Sequence, residues 1–315
     1  LTDKVIIITG PTASGKSDIA IKIAKAFNGE IISADSQQVY KEMDIGTAKE
    51  ANTQGITHHM IDVVYPNEEF SVENFSNEAR DLIKEINNRS KIPIIAGGTG
   101  FYIDSILFEM NYGAAPKDEE IRDRLTALNE EKGSLYLYNK LYEIDPITAK
   151  KYHPNETNRI IRSLEIYEST GQVPSGIRTG EKELNKEISP LLFFLNYKNR
   201  DKLYQKINNR VIGMLDEGLI EEFVSLINKY NLSEDSQSMA AIGYKEIFPF
   251  IKREIDIDDL IDLIQKNTRH YAKRQVTWMK RYLNYGFSHE ILMDNIDKDD
   301  AADIIISIIK EVYEF

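Results

Sequence analysis

The stretch Gly10-Pro11-Thr12-Ala13-Ser14-Gly15-Lys16-Ser17 constrains this chain more than any other. It follows the apolar run Val5-Ile6-Ile7-Ile8 and precedes Asp18-Ile19-Ala20-Ile21-Lys22-Ile23-Ala24-Lys25-Ala26-Phe27, so it reads strand, glycine-rich loop, helix. Full spacing in that context is a P-loop. Its glycines let the backbone curl until several N–H groups point at one spot, where the helix dipole and the Lys16 ammonium add positive potential. A di- or triphosphate fits there, and Ser17 is placed to hold a Mg²⁺ that bridges it.

A second short strand, Glu30-Ile31-Ile32-Ser33, opens into Ala34-Asp35-Ser36-Gln37-Gln38-Val39-Tyr40. In open parallel sheets ligands bind outside the carboxyl ends of the strands, so Asp35 is expected to share a crevice with Lys16. An Asp after a strand often only caps the next turn. Beside a P-loop it is also a candidate catalytic base or metal ligand. The strand Ile92-Pro93-Ile94-Ile95-Ala96 ends in Gly97-Gly98-Thr99-Gly100, which brings a hydroxyl and free N–H groups to the same edge. No acid closes that strand, which weakens an ATPase reading, because P-loop ATPases and GTPases hold their metal with one.

Between these strands, adjacent His58 and His59 would point to opposite faces and are read as structural. Ser71 is expected to cap a helix that runs to Arg89. From Ala114 to Pro190 the chain turns polar and helical, and Leu191-Leu192-Phe193-Phe194-Leu195 then restores a buried parallel strand. The pattern gives an α/β class: a P-loop NTPase-like parallel sheet flanked by helices, formed by 1–113 and 191–315, with an inserted all-helical subdomain over 114–190. Arg159 and Arg162 share one helix face in the insertion, an arrangement that ordinarily is only solvated. Asp201 is expected to cap a helix that contains Arg210 and stops at Gly218, and 294–303 reads as a surface turn and helix start.

A long helix over 258–283 places Ile264, Tyr271, Trp278 and Tyr282 on one arc and Lys266, Arg269, Lys273 and Lys280 opposite. Six Lys or Arg and no acid fall between Lys266 and Tyr282, so this face is a candidate contact for a phosphate backbone unless acids such as those over 256–262 neutralise it. The chain carries 51 acids against 39 bases, a net charge of −12, which argues against nucleic-acid binding through bulk charge but leaves room for such a patch. Its 315 residues, 42% hydrophobic, suffice for a sizeable core. No apolar run approaches the roughly 18 residues of a membrane span, and no basic-then-apolar leader opens the chain, so no membrane partner and a cytoplasmic location are expected. Zero cysteines exclude disulfides, Cys-ligated zinc and Cys nucleophiles.

Taken together, the P-loop, Ser33–Tyr40, Met43-Asp44-Ile45-Gly46-Thr47-Ala48-Lys49, His58–Asp62, Gly97–Gly100, Asn158–Arg162, Ala241-Ile242-Gly243-Tyr244-Lys245-Glu246 and Tyr271–Trp278 resemble the bacterial tRNA dimethylallyltransferases over residues 4–283. The resemblance implies prenyl transfer from dimethylallyl diphosphate to N6 of adenosine 37 in tRNAs that read codons beginning with U. The P-loop then holds a diphosphate leaving group in place of ATP, with Mg²⁺ as cofactor. By the same resemblance Asp35 is the base, and Lys16, Ser17, Thr99 and Arg210 stabilise the leaving group. Asp35, Ser36, Gln37, Gln38, Thr99, Arg122, Asn158, Arg159, Ile160, Ile161 and Arg162 are assigned to tRNA contact, with Gly243, Tyr244 and Lys245 close by, and the insertion clasps the anticodon stem-loop. The chain is expected to act as a monomer. Three other readings stay open: an ATP-dependent small-molecule kinase of the shikimate-kinase type, a non-catalytic RNA-binding protein with a nucleotide-dependent switch, and prenyl transfer to free adenine nucleotides.

Overall fold

The computed structural model describes residues 2–50, 52–110, 118–177 and 183–314. The chain divides into two compact units, Leu1–Leu107 with Asn185–Phe315, and Phe108–Leu184. Both boundaries fall earlier than the breaks at Ala114 and Pro190. An antiparallel bridge between Phe108 and Leu184 closes the base of the second unit, and Ala114-Ala115-Pro116 lies outside the described residues.

The first unit is built on six parallel strands in the order β3-β2-β4-β1-β5-β6. They are β1 (Asp3–Thr9), β2 (Gly29–Ser33), β3 (His58–His59), β4 (Ile92–Gly97), β5 (Ile188–Asn196) and β6 (Ser288–Leu292). Central β1 and β4 are covered on both faces, which is why they read as unbroken aliphatic runs. Ile6 is in register with Ile94 on one side and Leu191 on the other. Ile6, Ile8, Ile94, Leu191 and Phe193 pack on α1 (Lys16–Ala26) and α13 (Lys298–Tyr313). Helices α2 (Val72–Asn88) and α3 (Gly100–Leu107) pack together, with Phe75 stacked on Tyr102 at 3.9 Å between ring centroids. Ser71 does cap α2, in a reciprocal capping box with Asn74.

The histidines of β3 are structural, as their alternation implied. His59 Nε2 lies 2.7 Å from buried Glu30, which also binds Arg89 and Lys91, and His58 bonds the Ile56 carbonyl. Connections after β1 build the sheet first toward β4, β2 and β3 and later toward β5 and β6. The loop after β1 therefore sits at the topological switch point, where such sheets bind ligands.

After β5 come α9 (Arg200–Asp216), α10 (Leu219–Tyr230), a 3₁₀ turn at Ser238–Ala240, α11 (Ile247–Ile251) and α12 (Ile257–Met279). The cap of α9 is Asn199, whose side chain accepts the Asp201 N–H, so Asp201 belongs to the first turn and is not the cap. The long late helix ends at Met279, and a 3₁₀ segment carries Lys280–Asn284. The second unit contains α4 (Glu119–Lys132), α5 (Ser134–Ile144), α6 (Pro146–Ala149), α7 (Thr157–Thr170) and α8 (Pro174–Ile177) around Leu125, Leu137, Leu141, Ile160 and Leu164. Among the described residues no helix is long and apolar enough to cross a membrane.

Candidate active site

Between β1 and α1 the chain turns through left-handed Ala13 (φ 63°) and Gly15 (φ 86°), and Gly15 caps the helix without a side chain. A Cβ on Gly10 would lie 2.7 Å from the Leu195 carbonyl, so glycine is required where the loop leaves the sheet. The Lys16 ammonium reaches back across the loop to donate to the Pro11 carbonyl at 2.8 Å. Burial, and then the neighbouring Arg210 charge, bring its pKa down to about 8, against an opposing pull from Asp35. Arg210, half-buried on α9, is lowered by burial and supported by Asp35 in the same way. Two cations and one carboxylate thus share a single electrostatic neighbourhood.

Ser17 is exposed on the first turn of α1, and the hydroxyl of buried Ser14 has no hydrogen-bond partner among the described residues. Curled N–H groups, two cations and free hydroxyls suit a diphosphate. Mg²⁺ needs few protein ligands when phosphate oxygens and waters complete its shell, so Ser17 alone fits that role, and no protein-only acidic cage is found among the described residues.

Asp35 follows β2, and its Oδ1 accepts the Gln37 N–H at 2.9 Å, so it does close a turn. The Thr99 hydroxyl accepts the Ser36 N–H at 3.0 Å, while the Thr99 N–H donates to the Ala34 carbonyl at 3.1 Å. These bonds lock the glycine turn after β4 to the segment that carries Asp35. A Cβ on Gly97 would drive into the Ala34 backbone, so this close approach is open only to glycine.

Gln38 is engaged within the protein: it accepts from Ser33 Oγ at 2.9 Å and donates to the Thr47 and Ala48 carbonyls at 3.3 and 3.4 Å. The loop it holds, 43–49, is gripped from the other side by Glu222. That carboxylate accepts the N–H groups of Asp44, Ile45 and Gly46 at 2.9, 2.8 and 3.1 Å and the Tyr244 hydroxyl at 2.6 Å. Burial and the Glu222 charge push the Tyr244 phenol far up, which keeps it neutral and a donor.

Helix α12 and the 3₁₀ turn after it supply side chains to which the sequence attached no role. Gln275, 5% exposed, accepts the Thr12 N–H at 2.9 Å and donates to the Gly98 carbonyl at 3.0 Å. Tyr282 donates to Asp104 at 2.8 Å and lies 3.1 Å from the Gly100 carbonyl. The signal was present in the helix pattern: an amide on the apolar arc with Tyr271 and Trp278 must be buried, and a buried amide needs partners. On the opposite face Lys266, Lys273 and Lys280 are exposed and make no described ion pair, whereas Arg269 is half-buried against Asn208 at 2.7 Å; exposed Arg274 lies nearer the apolar arc, over the Tyr271 ring. At the start of the helix Asp256 is the cap and accepts the Asp259 N–H. A cavity of about 400 Å³ adjoins the basic face, with Lys198, Arg200, Lys273 and Lys280 in its wall.

In the second unit buried Glu165 accepts from Arg122 at 2.9 Å and from the Asp118 N–H at 2.7 Å, and pairs with Arg162 at 2.9 Å. Although burial pushes its carboxyl up, the N–H and the two guanidinium groups hold it below the usual range. Arg159 is exposed, bonded to Glu156 at 3.2 Å and lying over the Tyr152 ring at 5.8 Å.

The IPP transferase family model matches residues 38–282. The chain belongs to this family. It is 49% identical over 287 residues to the tRNA dimethylallyltransferase of Caldanaerobacter subterraneus subsp. tengcongensis, covering 89% of each chain. The crystal structure of the tRNA isopentenylpyrophosphate transferase of Bacillus halodurans superposes with a TM-score of 0.71 at 38% identity, over 98% of this chain and 96% of that one. A eukaryotic dimethylallyltransferase acting on tRNA gives 0.82 at 31% identity, over 98% and 79%. Within this IPP transferase, four of the residues grouped as RNA contacts need correction. Ile160 and Ile161 are buried in the helical core, Tyr244 is buried against Glu222, and Gly243 is buried with its N–H bound to Glu246, so none offers a side chain to a polymer. Asn158, Arg159 and Lys245 are exposed.

Proposed function

We propose that this chain transfers a dimethylallyl group from dimethylallyl diphosphate to N6 of adenosine 37 in tRNAs that read codons beginning with U. The observation that carries the reading is the gathering of Lys16, Arg210, Asp35 and Thr99 at one sheet edge, in a chain whose relatives are named tRNA dimethylallyltransferases. The first unit binds donor and acceptor base, and the helical insertion meets the anticodon stem-loop.

Adenine N6 is a poor nucleophile because its lone pair is delocalised into the ring. As the nitrogen attacks C1 of the dimethylallyl group, the C1–O bond breaks, diphosphate leaves with the bonding pair, and the N6 proton passes to the Asp35 carboxylate. Lys16 and Arg210 meet the charge that grows on the leaving oxygen, in a half-buried site where such charges are poorly screened. Thr99 holds the turn beside Asp35 and offers its hydroxyl to the same space. Mg²⁺ on Ser17 and the diphosphate would neutralise further charge on the leaving group. The target base must leave its stack before Asp35 can reach it. The enzyme works in the cytoplasm as a monomer.

Unmodified tRNA incubated with labelled dimethylallyl diphosphate and Mg²⁺ is expected to take up label without ATP. Strict ATP dependence, or phosphorylation of a small hydroxyl compound, would favour the kinase reading; label on free adenine nucleotides but not tRNA would favour the free-nucleotide reading.

A further inference from the structure

We propose that Gln275 is a positioning residue that sets the separation between the phosphate loop and the glycine turn, and so between the donor diphosphate and the acceptor amine; this rests on the reaction assigned above. Its amide joins two backbone groups that are remote in sequence: Oε1 takes the N–H of Thr12, and Nε2 gives to the carbonyl of Gly98. Thr12 lies in the loop that presents Lys16 and Ser17. Gly98 precedes Thr99, whose hydroxyl takes the N–H of Ser36, the residue after Asp35. One side chain therefore spans from the leaving-group side of the reaction to the base.

The fit is tight, since a Cβ on Gly98 would collide with the Gln275 amide and one on Gly100 with the Trp278 ring. Helix α12 and the 3₁₀ turn after it grip the same turn elsewhere. Tyr282 meets the Gly100 carbonyl, and the Thr9 hydroxyl, which donates to Gly97 at 3.0 Å, lies 3.1 Å from the Met279 sulfur. The Tyr271 phenol, one turn before Gln275, interacts with both Thr99 and Gln275. A side-chain amide satisfies an N–H and a carbonyl at once. A carboxylate serves the N–H alone and a leucine serves neither, leaving buried polar groups unpaired. Displacement of a reacting group by about 1 Å costs on the order of 10²-fold in rate.

The test compares Gln275→Leu and Gln275→Glu with the wild-type chain in steady-state transfer from dimethylallyl diphosphate to tRNA. Gln275→Leu is expected to lower kcat by about 10- to 100-fold and raise the donor KM several-fold, with the tRNA KM changed by less than about twofold. Gln275→Glu keeps the acceptor for Thr12 and loses the donor for Gly98. Its kcat relative to wild type should climb as pH falls from about 8 to about 5.5, because the acid form regains an O–H donor. A purely structural residue gives a different result: activity lost in proportion to unfolded protein, both KM values unchanged, and a Gln275→Glu profile parallel to wild type. Parallel profiles with an active wild-type chain would overturn this proposal alone, and they decide it even where Gln275→Leu does not fold. A wild-type chain that moves no label would overturn the reaction assignment and this proposal with it.

Discussion

The Asp35 carboxylate accepts the Gln37 N–H through Oδ1 and also lies in the field of Lys16 and Arg210, so turn closure and catalysis are both open to it. Asp35→Asn separates them, because the amide oxygen still closes the turn while the group can no longer take a proton. Turnover is expected to fall by about 10²–10⁴-fold with both substrates still bound, in single-turnover rates across a Mg²⁺ series. Near-wild-type rates would leave only the turn, and recovery at high Mg²⁺ would point to a metal ligand. Lys16 gives a second expectation. Its folded pKa, about 8, lies below the ordinary 10.5, so the folded chain gives up this proton at lower pH than the unfolded chain. Charged Lys16 therefore disfavours folding below pH 8, and that penalty fades as pH rises toward 10.5. Donor capture has the opposite sign: kcat/KM for dimethylallyl diphosphate should decline as pH rises through about 8, as the ammonium gives up its proton. A flat profile to pH about 9.5 would remove Lys16 as the charge that meets the donor.

At the scale of elements, what the sequence made legible was whatever carries a period or a punctuation mark. β1, β4 and β5 carry continuous apolar runs, α2 opens on the cap residue Ser71, and the phosphate loop has its glycines, so the α/β class and the place of the crevice could be read directly. β6 could not, because its only buried residue is Ile291 and Ser288-His289-Glu290 reads as surface; it becomes a strand through pairing with β5. α13 was visible only as an acidic start, where Asp297 accepts the N–H groups of Asp299 and Asp300. Nothing local in the sequence explains the loop 43–49. Its reason is Glu222, far along the chain on α10, and no local pattern announces a carboxylate that collects three distant N–H groups. The same holds for Glu165 toward Arg122, 43 residues away, which it turns from a free cation into the partner of a buried acid, whereas Arg162 pairs with it at i,i+3 on one helix. Long-range polar contacts of this kind have no sequence period.

For the whole molecule, the question is how a chain of net charge −12 holds a polyanion. Repulsion from the bulk is screened beyond roughly 8 Å at physiological ionic strength, so a local face decides. Lys266, Lys273 and Arg274 on α12 and Lys280 in the 3₁₀ turn after it are exposed and free of described ion pairs, and Arg159 on the insertion is exposed. tRNA affinity should therefore fall steeply with salt, by counterion release. Lys273→Ala with Lys280→Ala is expected to flatten the slope of log affinity against log salt by roughly one for each phosphate the chain no longer neutralises, at unchanged donor KM. Arg159→Ala should weaken tRNA binding with no change in Tm. Arg162→Ala should lower Tm as well, because it strips a guanidinium from buried Glu165, and a buried charge left short of partners is costly. Filter binding across a salt series and thermal melting of the wild-type chain and these three variants separate the effects. A salt-independent affinity would mean that the acidic surface neutralises the basic face, and equal melting of the Arg159 and Arg162 variants would show that Glu165 is secured by Arg122 and the Asp118 N–H alone.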